Sequence, residues 1–192
     1  MTRNYTLKRR AERQAGTRQR IVEAAIDLHS SVGPAAATFS MVAERAGVQR
    51  HTLYAHFPDE RSLNMACSGL SLERDPPPNA APWNEIRDRS ERLRTGLAAL
   101  YGWYERNAAL IACVLRDAEF HPLTKEIVDL RIAPYLAACR DVLGAKLSAK
   151  QRAMLQLALS FFTWRTLTRD SGLKRNAAVA AMVGAIEGAD GA

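Results

Sequence analysis

Apolar residues recur every three or four positions along most of the chain, and no stretch makes a convincing strand, so the pattern predicts an all-α protein. Residues 17–33 form an amphipathic helix with Ile21, Ala25, Leu28 and Val32 inward and Gly33 at its end. Residues 38–57 predict two short helices. Thr38 or Ser40 caps the first, whose apolar stripe is Phe39, Val42, Ala43 and Ala46. Ala43 is small enough to let another helix approach. Gly47 makes the turn, because glycine adopts a left-handed conformation without steric penalty, and Val48 plugs the core beside it. The second helix starts near Gln49, turns Leu53 and Phe57 inward and stops at Pro58. A linking helix of about 59–73 follows, with Leu63, Cys67 or Ala66, and Leu70 on one side. Asp75-Pro76-Pro77-Pro78-Asn79 then breaks the chain as a domain boundary or rigid linker.

Beyond the prolines the periodicity predicts five more helices. The first, 83–106, carries Ile86, Ser90, Leu93, Leu97, Leu100 and Tyr104 on one face. The second, 108–119, ends before His121-Pro122. The third, 123–146, has Ile127, Leu130, Cys139, Val142 and Leu143 as core and a kink at Pro134. Ser148 caps the fourth, 149–169, which Asp170-Ser171-Gly172 ends. The fifth starts at Lys174 or Asn176 and runs to 187. The fourth is apolar around most of its circumference: Met154, Leu157, Phe161 and Trp164 on one side, Leu155, Leu159 and Phe162 on another. Such a helix has to bury both sides. The fifth is rich in Ala and Gly (Ala177, Ala178, Ala181, Gly184, Ala185), which permits close helix approach. The two either pack inside a monomer or join the same pair of a second copy. The expected organisation is a basic arm at 1–16, a first domain at 17–72 and a second at 80–192.

The hairpin at 38–57 has the form of a helix-turn-helix, whose second helix enters the major groove of DNA. Spacing alone also admits an ordinary helical hairpin with a polar outer face. The flanks narrow the choice. Ile21–Ala24–Ala25–Leu28, Val32–Gly33, Thr38, Val42–Ala43, Ala46–Gly47–Val48, Thr52–Leu53–Tyr54, His56–Phe57 and Leu63 together resemble the N-terminal domain of the TetR family of transcriptional regulators. The likeness covers about 55 residues, from Thr17 to about Leu72; after that only the architecture is similar. It implies that Thr38 contacts phosphate at the start of the first helix. Arg50 and His51 would read bases, while Thr52, Tyr54 and His56 would touch phosphate and sugar. Arginine can hold guanine through two bonds, and histidine can donate to a purine acceptor. Two residues depart from the family pattern. Gln49 replaces a Ser or Thr cap, although it can reach a base. Glu60 replaces a phosphate-binding lysine, so either Arg61 takes over that contact or it is missing. The resemblance further implies a homodimer through helices 149–169 and 174–187, bound to a near-palindromic double-stranded operator with half-sites about 34 Å apart.

Charge agrees with nucleic-acid binding. The net charge is +7. Arg3, Lys8, Arg9, Arg10, Arg13, Arg18 and Arg20 stand against Glu12 alone in the first twenty residues, so nearly all the excess lies on the arm and the start of the helix after it. The arm is either a solvated tail, a phosphate or minor-groove contact, or disordered when free and ordered on DNA. Cys67, Cys113 and Cys139 are widely spaced and make no metal pattern, as in a reduced cytoplasmic protein. The N-terminus lacks the apolar run of a signal peptide, and the longest apolar stretch, about ten residues at 177–186, is too short to span a membrane. No phosphate loop, HExxH or G-x-S-x-G motif is present, and Asp117 and Glu119 fall on different helix faces. Neither a cofactor, a metal nor catalysis is expected.

The family resemblance also implies a small-molecule effector bound between the C-terminal helices. Polar or aromatic residues on apolar helices are the candidates to touch it: Trp103, Tyr104, Arg116, His121, Tyr135, Trp164 and Arg165. Each has an alternative as core, and His121 as a helix boundary. A buried Arg116 would suit an anion; a pocket with few charges would suit a lipophilic compound. Three readings follow. The chain is a ligand-released repressor, a regulator without inducer or acting as activator, or, remotely, an enzyme using a cavity in the helical domain.

Overall fold

The computed structural model describes residues 2–189. They are all-helical, with no strand among them. Eleven α-helices follow in order: α1 Thr2–Ser31, α2 Phe39–Ala46, α3 Arg50–His56, α4 Glu60–Arg74, α5 Arg89–Arg106, α6 Ala108–Ala118, α7 Pro122–Arg131, α8 Ala133–Leu143, α9 Ala149–Ala158, α10 Phe161–Arg165 and α11 Arg175–Gly188. A 3₁₀ turn, Ala81–Glu85, precedes α5, and a π turn, Thr166–Asp170, follows α10. Two compact units result. One takes in the chain up to Arg74 together with Ala112–Val128. The other takes in Asp75–Ile111 and the chain from Asp129 on.

The first unit is built on α1. Ile21, Val22, Ala24, Ala25 and Leu28 bury one stripe of it against Val42 and Ala43 of α2, Leu53 of α3, Phe57, and Leu63 and Cys67 of α4. Burial pushes the Cys67 thiol up to about 12, so it stays protonated as an inert core residue. The basic segment expected as an arm is the first half of this helix. From Leu7 to Ala15 its residues are good helix formers, while Thr2, Asn4, Tyr5, Thr6 and Gly16 weaken the run.

In the second unit α11 buries Ala178, Val179, Met182, Val183 and Ile186 against α5 and α9. Leu93, Leu97, Leu100 and Tyr101 of α5 are fully enclosed. Gly96 lets α5 approach α8, since a Cβ there would lie 2.7 Å from a methyl of Leu143.

Three helices expected as continuous are broken. The run 83–106 is α-helical only from Arg89, because Ile86, after the 3₁₀ turn, is extended and Asp88 caps α5 by accepting from the Glu91 N–H. The run 123–146 stops at Arg131. Pro134 then lies in the first turn of α8, where its missing N–H costs nothing. The run 149–169 is in three pieces. α9 stops at Ala158, extended Ser160 caps α10 by accepting from the Phe162 N–H, and the π turn follows. The break frees the carbonyls of Ala158 and Leu159, which accept hydrogen bonds from the hydroxyls of Tyr101 (3.0 Å) and Tyr104 (2.6 Å). It also changes the helix phase. Phe161 and Trp164 turn inward, while Leu157 and Phe162 are left exposed.

Candidate nucleic-acid interface

The turn between α2 and α3 forms through local chemistry. Thr38 caps α2 by accepting from the Met41 N–H at 3.3 Å. Gly47 takes φ +64°, and the Val48 N–H returns to the Ala43 carbonyl at 3.0 Å, which satisfies the last turn of α2. Gln49 has extended backbone and makes no side-chain cap, so α3 starts with free N–H groups.

Only Leu53 of α3 is buried. Gln49, Arg50, His51 and Tyr54 are exposed, while Thr52 and His56 are half-buried. Phe57 closes the helix inside the core, and the Arg18 guanidinium stacks over its ring, 4.8 Å from the centroid. Tyr54 leans on Phe39, with ring centroids 5.1 Å apart. Thr38, Phe39, Tyr54, Asp59 and Glu60 line one open hollow of about 400 Å³. The structure thus brings Thr38 and Tyr54 together and presents Gln49, Arg50 and His51 to solvent.

The start of α4 is different. Asp59 accepts from the Ser62 N–H at 2.7 Å, and this bond holds its carboxyl below the usual range. Arg61 is engaged: its Nε and Nη2 both donate to Glu126 of α7, at 2.9 and 2.8 Å. Glu60 lies 3.9 Å from the ring of His121, whose Nδ1 meets the Thr124 hydroxyl at 2.7 Å. A free cation at the start of α4 is therefore not what Arg61 offers in this state.

The sequence offered no sign of a further polar cluster in this unit. Asp117 is 1% exposed, accepts from the Ala35 N–H at 2.9 Å and pairs with Arg116 at 2.8 Å. Arg116 in turn donates to the Val32 carbonyl at 2.7 Å. The partners lie about eighty residues apart in the chain, so no local pattern signals them. Arg116, imagined as buried, has a half-exposed side chain, and its anion is Asp117. Burial lowers the pKa of nearby His29 to about 4 against a partial opposing pull from Asp117, so the ring is neutral at pH 7.

The residues offered for an effector divide. Arg116 and His121 belong to the first unit. In the second, Tyr104 packs against Trp103, Phe161 and Trp164, and Trp103 also meets Tyr135. Trp103 donates to the Asp75 carbonyl at 3.0 Å. The buried Tyr135 hydroxyl has no hydrogen-bond partner of good geometry, and burial, with the Cys139 thiol, raises its pKa. Arg165 is exposed over the ring of Phe162. Among the described residues no group of His, Cys, Asp and Glu could hold a metal, and no helix is long and apolar enough to cross a membrane.

Comparison with known proteins agrees with this geometry. Residues 21–64 match the family of bacterial regulatory proteins described as the tetR family. No curated protein sequence matches the chain. Several solved structures share the fold at low identity. A tetR-family transcriptional regulator from Streptomyces coelicolor is 18% identical with a TM-score of 0.58, covering 90% of this chain and 79% of its own. The transcriptional regulator FadR from Bacillus subtilis, in complex with stearoyl-CoA, is 16% identical with a TM-score of 0.60, covering 88% and 96%. A TetR-like transcriptional regulator from Rhodococcus sp. RHA1 is 17% identical with a TM-score of 0.59, covering 90% and 94%.

Proposed function

We propose, from the match of segment 21–64 to the tetR-family model and from a fold shared with TetR-family structures, that the chain is a homodimeric repressor of transcription. It binds a near-palindromic DNA operator and leaves it when a small molecule occupies the second unit. The observation that carries the reading is α3: one buried residue, Leu53, anchors it, and Gln49, Arg50, His51 and Tyr54 all stand outward. An ordinary hairpin also turns a polar face to solvent, but this row lies in the segment that matches the tetR-family model, and its groups can bond base edges and phosphates.

Dimerisation is supported by an apolar surface on the second unit. Leu157, Phe162 and Leu173 are exposed. From Ala177 to Ala185 the exposed residues of α11 are all small (Ala177, Ala180, Ala181, Gly184 and Ala185), with open space beside Gly184. Exposed large apolar side chains and a small-residue helix face on the same unit suit a four-helix contact between two copies.

The effector we propose is lipophilic. Support comes from the aromatic cluster around Tyr104, whose members bring no charge, and from Tyr135, whose buried hydroxyl has only the Cys139 thiol beside it. The stearoyl-CoA complex of Bacillus subtilis FadR, a protein of the same fold, points the same way.

Selection of binding sites from random DNA, with sedimentation of the complex, tests the reading. A two-fold symmetric site occupied by two copies is expected. Absence of any enriched sequence, or a monomer at micromolar concentration, would refute it. A thermal-shift screen of fatty acids and acyl-CoAs, followed by release of the selected DNA, tests the effector class.

A further inference from the structure

We propose that Asp117 is a positioning residue for the Thr38 phosphate contact: its buried carboxylate fixes the loop that delivers α2 to DNA. The inference rests on the DNA-binding reading above.

Thr38 is the last residue of the loop 32–38 between α1 and α2. Its hydroxyl already accepts from the Met41 N–H, which leaves the hydroxyl proton to donate to a phosphate oxygen. Where that proton points depends on where the loop lies. Ala35 and Ala36 are exposed and contribute little packing of their own, and the apolar anchor between Val32 and Ala37 is Pro34. Val32 and Ala37 pack partly against the core at its two ends, and between them the loop is also held through its main chain. The Ala35 N–H donates to Asp117, the Val32 carbonyl accepts from Arg116, and the Ala37 N–H bonds the Gly33 carbonyl at 3.1 Å.

The geometry is built for this approach. Gly33 has φ +97°, and a Cβ there would lie 2.3 Å from both the Arg116 guanidinium and the Asp117 carboxylate. The loop comes this close only because residue 33 has no side chain. Asp117 is fully shielded, and a carboxylate so buried tolerates little deviation in its partners, because an unmade bond leaves a charge without solvent. Its two oxygens divide the work. Oδ2 holds the loop, and Oδ1 orients Arg116, which holds the loop a second time three residues earlier.

The test separates position from stability. DNA selected by the wild-type chain is resynthesised with one neutral methylphosphonate at each position in turn. Wild-type binding is expected to weaken by roughly tenfold at the phosphate held by Thr38. Thr38→Val identifies that phosphate, since the variant no longer responds there. In Asp117→Asn that single penalty should fall below about twofold, with all other penalties unchanged. A merely structural loss lowers the folded fraction and scales binding to every DNA alike, leaving each penalty as it was. A full penalty at the Thr38 phosphate in Asp117→Asn overturns the proposal. If Asp117→Asn fails to fold, Arg116→Gln gives the same comparison through the Val32 carbonyl, with the same overturning result. A wild-type chain that selects no DNA removes the functional reading and this inference together. Selection by the wild type with an unaltered pattern in the variant removes the inference alone.

Discussion

Mild acid should loosen the first unit through one residue, His29. Burial lowers its pKa from the ordinary 6.5 to about 4, only partly opposed by the Asp117 charge. The native state therefore refuses a proton that the unfolded chain accepts below 6.5. Stability is fully present above that pH and falls as pH drops toward 4, where the native ring also protonates. Each tenfold difference in proton affinity between the two states is worth about 1.4 kcal/mol, so at pH 5 the loss is about 2 kcal/mol. For a unit of this size that lowers the melting temperature by on the order of 10 °C. The assay compares wild type with His29→Gln, which keeps a polar side chain of similar size without the titration. Thermal unfolding of both is followed from pH 7.5 to 4.5. Other titrating groups act equally on the two chains, so their difference isolates His29. The gap between their stabilities should change by about 2 kcal/mol between pH 7 and 5. Parallel profiles would show that the ring is not desolvated as described.

Arg50→Ala should relax base preference at one position of each half-site and cost about 1–3 kcal/mol on the selected DNA; retention of the wild-type preference everywhere would contradict base readout by Arg50. Deleting residues 2–16 should weaken binding to all DNA alike and flatten the dependence on salt, and an unchanged slope would mean that the segment touches no phosphate. Tyr104→Phe should cost about 1–3 kcal/mol in thermal unfolding, because the Leu159 carbonyl at the α9–α10 break loses its donor; a neutral effect would show that water or a regular helix replaces it. Gly184→Glu should give a folded monomer by sedimentation, with DNA affinity reduced on two half-sites but not on one, and a persistent dimer would move the interface elsewhere.

The sequence was most readable where folding is local. Gly47, the Thr38 cap and the stripe of Val42 and Ala43 lie within ten residues, and each acts through neighbours along the chain. Breaks in the long helices were hidden for the opposite reason. Apolar spacing continues through Ser160, and the groups that satisfy the interrupted carbonyls, Tyr101 and Tyr104, come from more than fifty residues upstream. Pro134 was visible, but proline is equally at home in a kink and in a first turn. The pairing of Arg61 with Glu126 and of Asp117 with Ala35 also depends on distant chain segments. No pattern of residue types along the sequence encodes such partners. The basic run at the N-terminus was legible as charge but not as helix, since its propensity is sustained only by continuation into the packed part of α1.

The recruitment of residues 112–128 into the first unit bears on modularity. The chain crosses between units at 74/75, inside α6 at 111/112 and inside α7 at 128/129. At the first crossing Arg74 is tied to Glu23 at 2.5 Å, and Asp75 is tied to Arg106 and Asn107. A fragment cut after Arg74 would look complete by the helix-turn-helix motif. It would nevertheless leave behind Asp117, Arg116 and Glu126, expose the main-chain groups of Val32 and Ala35, and retain a glycine at 33 with nothing to make room for. Grafting the first unit onto another protein therefore means transplanting two separate pieces of chain, and exchanging the second unit by a single crossover is closed to it.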